Sequence, residues 1–528
     1  MKLNKYFLIG AMGLSLFACS DELDGNGGQD GNQPQEGTTY AAISLKFGNA
    51  TTARAIGDGP TTGKDDVGDG NEADIETVRL IVANAATNKV EYNQLYTKNA
   101  EQNPTTDNGK YVFAIQPGEK KIYAFVNEET GNDLDAQAAV NSTWNGTTST
   151  VTKKASELGT YNGTSGQGTP FVMSVTEVET WNILSGVTKE QAEAGTKNRV
   201  DLNVERMVAK VTVKLDDALV ADGGFADQPV TLTALTAQIG NADNITYDKN
   251  GSDDAAKYKS PAKSYRIAYN ASGVRQTPEY YNYADQTADF YTGFDRAKLF
   301  SGNAESLYNP DATNAGEKNP QTRFYCLENT HATYVQANTT FVSVAATMTP
   351  NEIVKITYKK QGAEGAEEIT LTPNNDNNAA GTFYLIENAP NHELINGYIL
   401  ESELAELYGD KDDDIVNGTE TESAEKAKAV IKELGNNNRG YVFSEPYTDG
   451  KGYFNVWVND LKDTNGNYMN KAPVFRNDWY ALTIKSIKLP GNPTPDIDPE
   501  QPLHPDTNIG VTVKVKAWNS VGHDIDLQ

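Results

Sequence analysis

The residues that carry most protein chemistry are scarce in this chain. It has two cysteines and four histidines in 528 residues. Two cysteines cannot build a disulfide framework, and His331, His392, His504 and His523 are too dispersed for metal-ligand spacing. No G-x-S-x-G, H-E-x-x-H or Walker loop occurs. No catalytic residue, metal or cofactor is therefore expected. Basic charge is also short. There are 45 Lys and Arg against 72 Asp and Glu, a net charge of 45 − 72 = −27. That balance argues against a nucleic-acid partner, which needs a basic face. Long apolar runs are absent beyond the first eighteen residues, which excludes an integral helical membrane protein.

What is present is concentrated at the ends. Lys2 and Lys5 precede an apolar stretch, Tyr6 to Ala18, too short to span a bilayer. It ends Leu16-Phe17-Ala18-Cys19, a lipobox. Residues 1–18 read as a lipoprotein signal peptide and Cys19 as the lipidated new N-terminus. Only Cys326 then remains as a thiol, so large cores must hold the fold. A Gly/Asn/Gln/Asp tether follows, with too little apolar surface to fold. Next comes a period-2 strand with Ala41, Ile43, Leu45 and Phe47 on one parity. A Gly-rich loop around Ala53-Arg54-Ala55 succeeds it, in the style of exposed segments prone to proteolytic nicking. At the other end, six of the 21 prolines lie between 490 and 505. As polyproline II this arm would extend about 50 Å at 3.1 Å per residue. Beyond it Val511, Val513, Val515 and Ala517 alternate with Thr512, Lys514, Lys516 and Trp518. Such a strand either packs on its own domain or reaches a neighbour. Val521, Ile525 and Leu527 form a second alternating set.

The 27 tyrosines and 16 phenylalanines between these ends are too many for a disordered chain. Many short strands rich in Val, Ile, Thr and aromatics are separated by Gly/Asn/Asp turns. This predicts a mainly β protein of Greek-key β-sandwich domains with a few short helices. Val200–Leu215 reads as one long strand, with a domain boundary after it at 216–222. A helix is predicted from about Thr419 to Leu434, with Thr419 and Glu422 as a capping box. A weaker one covers Glu401 to Tyr408. Asp410, Asp412 and Asp414 begin like a calcium loop. Ile415 stands where the loop needs glycine and Thr421 where it needs glutamate, so a solvated acidic loop is the better reading. Cys326 reads as a buried structural thiol.

Taken together, these residues resemble the fimbrillins of type V pili, most closely the major subunit of the short Mfa-type fimbriae. The resemblance rests on the lipobox with Ala53-Arg54-Ala55 and on the strand Val204–Val211. It rests also on Leu327–His331 with the strand Thr340–Thr349 and Pro350, on Pro473–Asn477, and on Ile484–Lys488 with the Pro-rich arm and Val511–Trp518. These occur in the family's order along roughly the whole chain. The stretches 220–320 and 400–440 match poorly, and the Pro-rich insert is shorter than in the relative.

The resemblance implies two transthyretin-like domains, 55–218 and 219–489, then the arm 490–505 and a donor strand 506–528. It implies a lipidated propeptide, 19–54, cut after Arg54 by an arginine-specific protease so that the mature chain begins at Ala55. The first strand (Ala41, Ile43, Leu45, Phe47) is then removed. The C-terminal strand of the next subunit (Val511, Val513, Val515, Ala517, Trp518) enters the groove. Partners would be identical subunits head to tail, accessory fimbrial subunits, the protease, and the outer membrane of a Gram-negative bacterium through the precursor's lipid. A second reading is a non-polymerising surface lipoprotein that binds glycans or host proteins. A third is a tip or accessory subunit, which need not present a donor strand.

Overall fold

The structure, a computed structural model of the chain, describes residues 37–47, 70–97, 106–107, 110–127, 134–144, 155–162, 167–175, 180–221, 225–242, 299–327, 329, 334–360, 367–374, 380–390, 397–409, 414–435, 439–460, 462, 465, 467–470, 472–495, 497–498, 501–504, 506 and 508–518. The expected signal peptide, Cys19, Arg54, Ala55, His331, His392, His523, Asp410, Asp412 and the set Val521, Ile525 and Leu527 lie outside the described residues.

The chain is mainly β, as its alternating sequence predicts. Its first sheet comprises β1 (Thr39–Phe47), β2 (Thr77–Asn84), β3 (Val90–Thr97), β4 (Thr106–Asp107), β5 (Lys110–Ile115), β6 (Gly118–Val126), β7 (Met173–Val175), β8 (Thr180–Ile183) and β9 (Arg199–Arg206). Two short helices interrupt them, α1 (Leu134–Gln137) and α2 (Lys189–Glu193). The order is β3-β2-β6-β7-β9-β1-β5-β4, with β8 also on β6. β3 and β5 are far apart in that order, yet Tyr92 stacks on Phe113 at 4.3 Å and Tyr96 meets Tyr111 edge-on at 4.7 Å. The sheet therefore folds over on itself and closes a core between its two halves. The Tyr92 and Tyr96 hydroxyls share a 2.6 Å hydrogen bond inside it, and burial pushes the Tyr92 phenol up to about 12.

The remaining strands are β10 (Val208–Leu215), β11 (Val230–Gly240), β12 (Phe300–Tyr308), β13 (Thr322–Leu327), β14 (Phe341–Pro350), β15 (Ile353–Lys360), β16 (Glu367–Asn374), β17 (Phe383–Asn388), β18 (Tyr398–Leu400), β19 (Tyr408–Gly409), β20 (Val416–Asn417), β21 (Val442–Phe443), β22 (Lys451–Trp457), β23 (Asp478–Ile487) and β24 (Ile509–Ala517). With them run α3 (Asp217–Ala221), α4 (Ala315–Lys318), α5 (Glu401–Ala405) and α6 (Ser423–Gly435). Sheet β13-β10-β23-β24 packs on sheet β12-β11-β14-β22. Inward residues of both fill one core, among them Val211 and Val213 of β10, Val342 and Val344 of β14, and Tyr480 and Leu482 of β23. Cys326 of β13 is buried there, as expected. A third sheet, β16-β15-β18-β17-β21, carries α5 and α6 on a separate small core.

Three local expectations are corrected. Val200–Leu215 is two strands, broken at the fully buried Met207. Residues before the break pair with β1 and β7, whereas those after it pair with β13 and β23 in another sheet. Asn477 bridges the seam, accepting from the Arg206 N–H at 3.2 Å and donating its own N–H to the Val208 carbonyl at 2.9 Å. The chain thus changes sheet at Met207, ahead of the expected boundary at 216–222. α6 begins at Ser423, so the Thr419–Glu422 capping box does not form. Residues 416–417 are held in a two-stranded pair with β19, and the Glu420 N–H donates to the Tyr408 hydroxyl at 2.9 Å. These tertiary bonds keep the preceding turn out of the helix. The same pairing ends α5 at Ala405, short of Tyr408.

Candidate assembly site

β1 is an interior strand. It runs antiparallel to β5, with Ala42 opposite Val112 and Ile43 opposite Tyr111. On its other side it runs parallel to β9, with Ser44 opposite Asp201. The alternation read from the sequence is present: Ala41 and Ile43 are fully buried in the folded-over core, and Leu45 packs against it. The opposite face is not free, because α2 covers its first half. Ala42 is 0% exposed, against Val112, Val187 and Ala192. The turn before α2 is fixed by a capping box, with Thr188 and Gln191 exchanging bonds.

The start of β1 is held by side chains as well as by ladder bonds. The Thr39 hydroxyl accepts from the Val187 N–H at 2.9 Å. The Asn198 amide donates to the Tyr40 carbonyl at 2.9 Å and to the Leu184 carbonyl at 2.9 Å. Asn198 itself sits at φ 49, a left-handed conformation that asparagine tolerates better than most residues. A strand that left this place would leave the Val187 N–H unanswered, take one acceptor from the Asn198 amide, which keeps its bonds to Leu184, and open two ladder edges.

Gly70–Ala73 form a single 3-10 turn wedged between the two sandwiches. Glu72 is 0% exposed. Its carboxylate accepts from Lys210 Nζ at 2.8 Å and from the Tyr325 hydroxyl at 2.5 Å. Arg206 donates to the Glu72 carbonyl at 3.0 Å and to the Trp518 carbonyl at 2.7 Å, with its guanidinium 4.3 Å above the Trp518 ring. Burial lowers the Arg206 guanidinium to about 10, and Glu72 and Tyr325 offset part of that. Burial likewise lowers the Lys210 ammonium and raises the Tyr325 phenol. Within the cluster Glu72 pairs with Lys210, whereas Arg206 is met by two carbonyls and the Trp518 ring, and its Nη2 makes no hydrogen bond among the described residues.

Trp518 stands on the parity that the sequence assigns to solvent, beside Thr512, Lys514 and Lys516. It is instead fully buried, edge-on to Phe171 and stacked near Tyr325. The first sandwich covers the tail where the second ends. A tryptophan among lysines was the available signal.

β24 lies at the margin of its sheet. Among the described residues its one strand neighbour is β23, with Thr512 opposite Thr483 and Val513 opposite Leu482. A register shift near Ser486 and Gly510 loosens the pairing. Val511, Val513 and Val515 are half-buried against the core, and Thr512 and Lys514 are exposed. The Pro-rich arm is not a free spacer. Asn492 makes a bridge with Tyr453, Gln336 bonds the Gln501 carbonyl at 3.0 Å, and Trp457 donates to the His504 carbonyl at 2.8 Å. Leu489, Ile497 and Leu503 are buried along it, so apolar residues among the prolines fasten an extended segment to the body.

The structure therefore defines a mainly β, multi-sheet protein with an embedded first strand and a marginal last one. Residues 445–524 match the family model described as "Major fimbrial subunit protein type IV, Fimbrillin, C-terminal". The fold is also similar to that of the tip fimbrial protein Mfa3 from Porphyromonas gingivalis. That similarity has a TM-score of 0.36 at 12% identity, covering 91% of this chain and 100% of that one. Similarity to a fimbrilin (fimA) from Porphyromonas gingivalis W83 has a TM-score of 0.36 at 14% identity, covering 92% and 99%. The resemblance to type V fimbrillins read from the sequence agrees with the family match in the C-terminal part of the chain.

Proposed function

We propose that the protein is a shaft subunit of a surface fimbria of the type V kind. It is exported as a lipoprotein acylated at Cys19 and held on the outer membrane of a Gram-negative cell. An arginine-specific protease cuts after Arg54, β1 departs, and the C-terminal strand of a second copy fills its place. Head-to-tail repetition of a contact that does not close on itself gives a filament rather than a dimer. Accessory subunits would complete the fibre, which supports adhesion and biofilm growth.

The observation that carries this reading is the contrast between the two strands. β1 has two strand neighbours, a buried inner face and an outer face covered over its first half, while β24 has, among the described residues, one neighbour and an exposed outer face. A β24 moved into the place of β1 gains a second ladder and deeper burial of its inward face. Full burial from water is worth about 1.5–3 kcal/mol per apolar side chain, and because Val511, Val513 and Val515 are already half-buried on their own sheet, the move gains only the remaining part of that. Association entropy opposes this. Before cleavage the place is occupied, so assembly waits on the protease. Glu72 and its partners fix the chain beyond the loop, so a cut in the loop frees β1 while the rest of the sandwich stays anchored.

N-terminal sequencing of sheared surface material tests the reading. A chain beginning at Ala55 is expected. Arg54→Ala should leave a longer lipidated monomer and reduce fibres at least about tenfold, and normal fibres from that variant would refute the cleavage step.

A further inference from the structure

β1 and the C-terminal segment share more than alternation. Thr39–Phe47 reads T-Y-A-A-I-S-L-K-F, and Thr507–Val515 reads T-N-I-G-V-T-V-K-V. We propose that Thr507–Val515 of one subunit replaces Thr39–Phe47 of another residue for residue, with Gly510 in the place of Ala42. This register rests on the strand-exchange reading above and specifies the contact that reading leaves open. Thr507 takes the place of Thr39, Val511 that of Ile43, Thr512 that of Ser44, and Lys514 that of Lys46.

The competing registers fail at named positions. A shift by one residue sets Lys514 at Leu45 or Phe47, on the parity of the core face, and is excluded. A shift by two keeps parity, and the core face tolerates it. Val511, Val513 and Val515 would then stand for Ala41, Ile43 and Leu45 with the total volume nearly kept. The opposite face decides. In that shifted register Thr512 would stand at Ala42, which is 0% exposed against α2. A threonine there adds two heavy atoms, one a hydroxyl, to a closed apolar contact. Gly510 adds none. The shifted register would also set Ile509 where the Thr39 hydroxyl receives the buried Val187 N–H, leaving that donor unanswered. Thr507 restores the hydroxyl. In the proposed register Ile509 is larger than Ala41, while Val511 and Val513 are each one methylene smaller than Ile43 and Leu45. The same-face neighbours thereby return most of the added volume.

Cysteine pairs in fibres of mature protein test the register. Ser44 lies opposite Asp201. Thr512→Cys with Asp201→Cys should therefore give a ladder of disulfide-linked subunits on non-reducing gels, and Lys514→Cys with Asp201→Cys should give at least tenfold less. The reverse ranking overturns the register while leaving strand exchange standing. A third pair, Thr512→Cys with Thr483→Cys, reports the tail on its own sheet. If that pair closes within each subunit of the fibre and neither Asp201 pair ladders, both the register and the exchange fall. Independently, Gly510→Ala should assemble at the wild-type rate, because it recreates Ala42. Gly510→Leu should slow assembly at least tenfold with the monomer's near-ultraviolet dichroism unchanged, and equal rates for the two variants overturn the assignment. In the resident sheet a side chain at Gly510 meets the Ser486 hydroxyl, which can rotate aside. Should Gly510→Leu perturb the monomer, the cysteine pairs decide.

Discussion

Ionisable groups are buried in this protein either with partners or at a cost, and Asp460 shows the second case. It follows β22, where the chain leaves the sheet, and burial pushes its carboxyl up to about 6 from an ordinary 3.8, with Lys462 offsetting part of the effect. Between those values the folded chain holds a proton that the unfolded chain has lost. Its contribution to stability is therefore complete below the unfolded value and is lost as pH rises through the folded one. Asparagine has no such proton to lose. Asp460→Asn should thus gain in melting temperature relative to wild type between pH 4 and pH 7.5, by on the order of 1–2 °C. Other titrations cancel in the difference, so a difference constant across that range would exclude the assignment. Glu72 is the contrasting case. Its carboxylate is fully buried yet carries the buried Lys210 and the half-buried Tyr325.

At the scale of the element, Trp518 fixes how firmly the tail is held. It makes the last contact before the described chain ends, with Arg206 above its ring and on its carbonyl. Truncating a buried tryptophan costs about 3–5 kcal/mol, and here the loss falls on one strand with a single neighbour. Trp518→Ala should raise the opening equilibrium of β24 by about two to four orders of magnitude. Amide exchange over 509–517 should accelerate accordingly while 230–240 in β11 keeps its protection. Unchanged protection in β24 would mean that the valines alone hold it. The sequence made β1, β24 and the class of fold legible because half-burial writes a period of two into the residues. It did not reveal the burial of Trp518, since the covering surface comes from Phe171 and Tyr325, far away in sequence. The break at Met207 was hidden for a related reason. Both halves of 200–215 are apolar enough for either sheet, and only the partners differ. The capping box at Thr419 was a sound local signal overridden by the β19–β20 pairing. Leu489, Ile497 and Leu503 were visible, but prolines between them read as a free arm rather than a fastened one.

At the scale of the whole molecule, assembly must bring like charges together. On the proposed cleavage after Arg54, loss of residues 1–54 would take four basic and five acidic groups from the totals, leaving 41 − 67 = −26. The proposed donor strand is locally basic in sequence, with Lys514 and Lys516 on the parity opposite the valines. Two effects therefore oppose each other as subunits approach, a short-range attraction for the tail and a long-range repulsion of the bodies. Screening length decides between them. At 10 mM salt charges are felt over about 30 Å, comparable to a sandwich, so the full net charge acts before the tail arrives; at 150 mM only about 8 Å remains. The repulsion should govern the encounter. Elongation by mature subunits should accordingly accelerate at least about tenfold from 10 to 150 mM sodium chloride. Fibre dissociation should change little, because in the proposed contact the strand would be paired on both edges with its apolar face buried, a contact that added ions do not screen. Light scattering against added seeds measures the first and dilution of finished fibres the second. Elongation that slows with salt would mean that the lysines of the tail, and not the charge of the bodies, control the approach.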